Sequence, residues 1–259
     1  MIRYSGKKAT LVAKIIDEIL KKNIPIRTLI EPFAGSLQLA RSFANKNIAD
    51  EFKVAEANPI LRNIWSSIQQ DPLRFENEVV SLLENLPKIP GRGRKLDPTG
   101  VAIVKDWFDK GSKGTFEEAV KDYAINAASV RSVPGHAPYV LPELSIPSNK
   151  LINENISGLS RVMKKANVYD DWKDAVTEID KNDFLYIDPP YLGLCKYRGG
   201  FPKQERQLLT SFVESIVGKP SVGFVFDSPR GAAQMSFLDW KPRNDFEFFA
   251  QIGRNTLQL

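Results

Sequence analysis

Arg27-Thr28-Leu29-Ile30-Glu31-Pro32-Phe33-Ala34-Gly35-Ser36 is the stretch that decides the fold. A short apolar run stopped by a proline reads as a β-strand, since proline cannot donate to a sheet ladder. Ala34-Gly35-Ser36 reads as a tight turn, and Leu37 to Ala44 as a helix opened by Ser36 that presents free N–H groups. Phe52-Lys53-Val54-Ala55-Glu56 follows as a second strand ending in an acid. Strand, glycine turn, helix and acid-tipped strand make one βαβ unit of an open α/β sheet. Before it, Leu11, Ile15, Ile16, Ile19 and Leu20 recur at helical spacing within residues 10–22.

Farther along, the character changes between residues 59 and 165. Helical stretches at Ile60–Gln70 and Phe75–Asn85 precede Pro87-Lys88-Ile89-Pro90-Gly91-Arg92-Gly93-Arg94-Lys95, which is rich in structure breakers and holds no acid. Val130 to Pro147 carries Pro134, Pro138, Pro142 and Pro147, a density that disfavours regular structure. Parallel-sheet patterning resumes at Phe184-Leu185-Tyr186-Ile187 and again at Ser221–Phe226, with Asp245–Ile252 as a candidate last strand. The expected plan is an α/β domain interrupted by a mostly helical segment.

Asp188-Pro189-Pro190-Tyr191 directly follows the buried-strand pattern. Two prolines fix φ twice and remove two N–H donors, so the carbonyls there can face the carboxyl edge, where open α/β sheets bind ligands. A carboxylate and a carbonyl accepting both protons of an exocyclic amine would localise its lone pair and stabilise the positive charge that develops on attack. The neighbouring tyrosine offers a face for a flipped base. The plainer reading is a strand-ending turn with an incidental acid. Gly35 permits close backbone approach, and Glu56 at its strand end is suited to the hydroxyls of an adenosine ribose, or else is a solvated loop acid.

In this order the residues resemble the Dam-like group of DNA adenine-N6 methyltransferases, from Tyr4 to about residues 224–230. The resemblance implies a Rossmann-like S-adenosylmethionine-dependent methyltransferase fold with an inserted, mostly helical DNA-recognition domain. Residues 1–58 and 166–259 would form the catalytic domain, and 59–165 the insert. It makes Tyr4 and Lys8 of Tyr4-Ser5-Gly6-Lys7-Lys8 cofactor contacts, together with Phe33-Ala34-Gly35 and the Glu56 of Glu56-Ala57-Asn58. Trp172 and Asp174 map to an aromatic/acid element near the cofactor's adenine, and core packing is the other reading of Trp172. Asp188, Pro189, Pro190 and Tyr191 map to the catalytic tetrapeptide, and Asp188 also borders the cofactor. In the insert, Arg131 keeps the family's arginine, but Ala128-Ser129 stand where Asn-Gly is usual, which argues against GATC as the target. Phe226-Asp227-Ser228 replaces a Leu-Ser-Asn-like strand end, and Arg254–Leu259 corresponds to the last strand.

Composition bounds the rest. A net charge of +5 and a pI near 9.1 lean toward polyanionic partners such as double-stranded DNA. Lys88, Arg92, Arg94, Lys95 and Arg131 are candidate DNA contacts; a solvated loop is the plainer reading of the first four, and a surface arginine that of Arg131. One cysteine, Cys195, excludes an internal disulfide, and a single histidine, His136, leaves too few ligands for a Cys/His metal site. With no apolar stretch of about 20 residues and no signal-peptide pattern, a cytoplasmic protein is expected. The expected activity is methyl transfer from S-adenosylmethionine to adenine N6 in DNA, with no metal. The alternatives are N4-cytosine or RNA base-amine methylation, and an inactive DNA-binding homologue. Nothing in the chain specifies oligomeric state, processivity or a partner endonuclease.

Overall fold

The computed structural model describes residues 9–21, 23, 25–129, 144–180, 182–189, 201–216, 223–227, 249–252 and 255–256. Its centre is a sheet in the order β3-β2-β1-β4-β5-β6-β7. The strands are β1 (Thr28–Glu31), β2 (Glu51–Ala55), β3 (Ala166–Tyr169), β4 (Asp183–Ile187), β5 (Gly223–Asp227), β6 (Phe249–Ile252) and β7 (Asn255–Thr256). Every neighbouring pair through β6 is parallel, and β7 runs antiparallel on β6. The chain moves outward from β1 through β2 to β3, then returns to the other side of β1 with β4. The carboxyl ends of β1 and β4 therefore flank a topological switch point, the crevice where open α/β sheets take ligands.

Side-chain alternation divides the core into two layers. Leu29, Phe52, Val54, Phe184 and Tyr186 point to one face of the sheet, and Ile30, Ala55, Leu185 and Ile187 to the other. This period of two is what each parallel strand needs to be covered on both sides. On the first face lie α1 (Ala9–Lys21), α2 (Gln38–Lys46), α3 (Pro59–Gln70), α4 (Pro72–Glu84), α6 (Phe116–Ala128) and α7 (Asn149–Met163). On the second lie α8 (Trp172–Ala175) and α9 (Lys203–Ile216). α5 (Pro98–Lys110) packs on α6. The helical segment between β2 and β3 shares one continuous core with the sheet: Trp65, Phe75 and Ile156 join Phe43 and Phe52 in a single cluster.

Local signals set the helix starts. Asn58, Asp71 and Asp97 each precede a proline at the first helical position and accept an N–H from within the first turn, at 3.0, 2.9 and 2.8 Å. Such caps satisfy donors that have no intrahelical partner. α1 begins one residue before the expected helix and buries Val12, Ile15, Ile16 and Ile19, while Leu20 faces solvent. β6 covers the last four residues of the expected Asp245–Ile252 strand; residues 245–248 lie outside the described residues. Among the described residues no helix is long and apolar enough to cross a membrane.

Gly100, in the first turn of α5, sits against the Pro87 carbonyl, and a Cβ there would lie 2.4 Å from that oxygen. Backbone cannot yield as a flexible side chain would, so Gly100→Ala is expected to cost about 1–3 kcal/mol, an overpacking penalty. Urea denaturation measures it. Gly111→Ala makes a useful contrast, because it meets no atom within 4 Å and carries only the strain of its positive φ.

Candidate active site at the carboxyl edge of the sheet

The carboxyl ends of five adjacent strands carry acids. Asp170 and Asp171 follow β3, Glu56 follows β2, Glu31 ends β1, Asp188 follows β4 and Asp227 ends β5. Ile187 is registered with Phe226, so Asp227 stands level with Asp188 in the ladder. That gives Asp227 a place in the row, where the sequence offered no account of it.

Two of these carboxylates close the glycine turn from inside. Glu31, 1% exposed, accepts the Ala40 N–H at 2.8 Å and so caps the first turn of α2. Glu56 accepts the Gly35 N–H at 3.1 Å with one oxygen and the Asn58 N–H at 2.9 Å with the other. The turn has Gly35 at φ 51° and Leu37 at φ 54°, both left-handed, and Leu37 rather than Ser36 stands at the helix cap without a side-chain cap bond. The expected opening of the helix by Ser36 is thus corrected to Leu37. At this junction the Gly35 and Ala40 N–H groups are engaged by carboxyl groups and the Ala34 and Leu37 N–H groups by carbonyls, which leaves fewer donors for a phosphate.

Burial raises the Glu56 pKa, and the N–H groups of Asn58 and Gly35 together with Arg62 oppose the rise. Each Glu56 oxygen keeps a second lone pair, which a ribose hydroxyl could use. Burial, opposed by the Ala40 N–H and reinforced by repulsion from Asp188, pushes Glu31 up to about 8. The negatively charged form of Glu31 is therefore disfavoured unless positive charge arrives beside it.

Phe33 is half-buried and stacks on Trp172, with ring centres 5.9 Å apart and planes at 29°; Phe201 meets Phe33 edge-on at 5.6 Å. Trp172 is buried against Phe33 and Phe212, and its indole N–H donates to Glu205 of α9 at 2.8 Å. Trp172 is thus a core residue whose polar edge is already satisfied. Phe33, in front of it, is the part of the stack that solvent reaches. Asp174 is exposed on the short helix α8, whereas Asp171 caps that helix and accepts the Lys173 N–H at 2.9 Å. Sequence reasoning passed over Asp170. The usable signal was its position directly after a strand, the one Glu56 holds on β2, since Ala55 and Tyr169 are registered.

Asp188 and Pro189 are half-buried just beyond β4. Pro190, Tyr191, Tyr4, Lys8, Arg131, His136 and Cys195 lie outside the described residues. Phe33, Ala34, Gly35, Glu56, Trp172 and Asp188 therefore converge on the edge of β3, β2, β1 and β4. Lys88, Arg92, Arg94 and Lys95 form a separate hairpin. There Lys88 donates to the carbonyls of Glu84 and Leu86 at the end of α4, and Arg94 donates to the Pro147 carbonyl and to Asn149. Among the described residues no group of three or more potential metal ligands occurs.

No model of a known protein family matches the chain, and no curated protein matches it.

The Glu31 shift carries a pH prediction. Its folded pKa, about 8, lies above the ordinary 4.5, so the folded state holds a proton that the unfolded chain gives up. The stability this contributes is complete below about pH 4.5 and is lost as pH rises through about 8. Glu31→Gln keeps an acceptor for Ala40 and removes the titration. Urea denaturation from about pH 5 to about pH 8 is expected to show a falling stability for the wild type, with a slope of up to about 1.4 kcal/mol per pH unit, and a flatter profile for the variant.

Proposed function

We propose that this protein is an S-adenosylmethionine-dependent methyltransferase acting on the exocyclic N6 amine of adenine in DNA. The observation that carries the reading is the position of Asp188-Pro189: at the carboxyl end of β4, beside β1 at the switch point, in a row of strand-end acids with Glu31 and Glu56. An acidic rim, with the Gly35 and Ala40 N–H groups taken by carboxyl groups, fits a cofactor that is cationic at sulfur and at its amino group. It leaves fewer N–H groups for the pyrophosphate of a dinucleotide. Among the alternatives on the same fold, the donor set therefore favours the sulfonium cofactor.

When bound, S-adenosylmethionine supplies an electrophilic methyl group, and the hard chemistry is its own. Glu56 would hold the ribose hydroxyls. Phe33, backed by Trp172, would provide an apolar wall for the adenosine ring. Glu31 and Asp188 would face the cationic end. Asp188 and the Pro189 carbonyl would accept the two N6 protons of a flipped adenine stacked on Tyr191, holding the lone pair toward the methyl carbon. Residues 59–165 would be the part that reads the target, with Arg131 among its DNA contacts.

The test is transfer of tritiated methyl groups from the cofactor to DNA, followed by enzymatic digestion and chromatography of the nucleosides. The wild type is expected to yield labelled N6-methyl-2′-deoxyadenosine, and Asp188→Ala to lose at least about 100-fold in rate, the scale of removing one preorganised polar group from a transition state. Label in N4-methyl-2′-deoxycytidine, or in RNA alone, would move the activity to the corresponding alternative. Equal transfer by wild type and variant would remove Asp188 from the mechanism.

A further inference from the structure

The hairpin between α4 and α5 is built more tightly than a solvated basic loop requires. Lys88 and Leu96 face each other as an antiparallel bridge, and Ile89 N–H donates to the Lys95 carbonyl at 3.0 Å. Between them two turns follow in succession: Arg92 N–H to the Ile89 carbonyl at 3.1 Å, then Lys95 N–H to the Arg92 carbonyl at 3.3 Å. Gly91 at φ 72° and Gly93 at φ 61° supply the left-handed corners on either side of Arg92. Pro90 ahead of Gly91 presets the first turn. Arg92 is held at the tip by backbone geometry alone.

The base of the hairpin is bolted to the N-terminal end of α7. Leu96 N–H donates to the Leu144 carbonyl at 2.9 Å, Ile146 N–H to the Arg94 carbonyl at 3.0 Å, and Ser145 bridges Lys95. The Arg94 guanidinium spans the Pro147 carbonyl and the Asn149 side chain at 3.2 Å, and Asn149 in turn reaches Glu84. The two acids nearest in sequence are both in use, Glu84 in this clamp and Asp97 as the α5 cap. Arg92, by contrast, is exposed, and neither it nor half-buried Lys95 enters a side-chain hydrogen bond or ion pair among the described residues.

The fold also says where this hairpin stands. α7 leads into β3 at the sheet's amino edge, and beside it α2 runs from the carboxyl edge toward β2. Arg41, in the first turn of α2, donates to Asn155 of α7 at 3.2 Å. Asn149 lies six residues before Asn155, which is about 9 Å farther toward the carboxyl edge at the usual helical rise. The clamp at Asn149 therefore sets the basic hairpin at the end of the molecule where Asp188 emerges.

We infer that Lys88–Leu96 is a preorganised DNA-contacting finger in which Arg94 is the internal lock and Arg92 and Lys95 are the cations that meet phosphate. This rests on the DNA-methyltransferase reading and divides four basic residues, alike in sequence, into two structural and two contacting ones. Rigid presentation lowers the ordering cost of each contact, and each phosphate neutralised releases counterions. A polyanion with regularly spaced phosphates running past the site mouth fits two fixed cations on one hairpin.

Fluorescence anisotropy with a short mixed-sequence DNA duplex, read across a range of salt, tests the assignment. Arg92→Ala and Lys95→Ala are each expected to weaken binding about three- to tenfold at low salt and to lower the salt slope by roughly one, with unchanged Tm. Arg92→Lys is expected to recover most of the loss, since a point charge suffices for phosphate. Arg94→Ala is expected to lower Tm. The inference is overturned if Arg92→Ala and Lys95→Ala bind duplex as the wild type does while the wild type methylates DNA, which leaves the methyltransferase reading intact. It is overturned as well if those variants lose binding to anionic phospholipid vesicles but not to DNA. A wild type that neither binds duplex nor transfers methyl groups to DNA removes the reading and the finger together.

Discussion

The structure around the switch point depends on two carboxylates accepting backbone N–H groups across the first βα junction. Glu31 reaches forward from β1 to the start of α2, and Glu56 reaches across from the end of β2 to Gly35. They act beside the Ala34 N–H, which donates to the Ala55 carbonyl at 2.9 Å and ties the same turn to the end of β2. Together they fix the turn in a left-handed path that only a glycine adopts at low cost at position 35. Burial keeps water from competing for these bonds.

This arrangement inverts the usual electrostatics of a βα junction. An uncapped helix start with open N–H groups attracts anions. Here one first-turn N–H goes to Glu31 and the Gly35 N–H to Glu56, and further acids stand at the neighbouring strand ends. Such acids favour hydrogen-bond donors and cations beside them over anions. Burial adds to the selectivity, because a carboxyl such as Glu31 gains most from a positive neighbour when it has no water to stabilise its charge. The same fold can thus host anionic or cationic ligands according to what occupies a few backbone donors, which is why function belongs to the site and not to the sheet.

Much of this was legible in the sequence because its signals are local. The β1–turn–α2–β2 unit showed in an apolar run, a proline, a glycine and a terminal acid, and β4 showed in an apolar run ahead of Asp188. What was not legible involves partners distant in the chain. The role of Glu31 as a helix cap depends on how the turn folds back over nine residues, and Ser36 is the commoner capping type by composition. Arg94 looked like any loop arginine until the chain brought Pro147 and Asn149 to it from more than fifty residues away. Asp170 was hidden by a second acid, Asp174, four positions on, and only the end of β3 distinguishes them. α5 and α6 carry caps at Asp97 and Thr115 that a closer search for Asx-Pro and Thr-x-x-Glu patterns would have found.

The central claim, that the carboxyl edge is made for a cationic adenosine cofactor and not for a nucleotide polyphosphate, is tested most directly by calorimetric titration of the purified protein with S-adenosylmethionine, ATP and NAD in parallel. Micromolar binding of S-adenosylmethionine, weakened by Glu56→Ala, with no measurable heat from ATP or NAD, is the predicted result. Saturable binding of NAD or ATP with none of S-adenosylmethionine would contradict it.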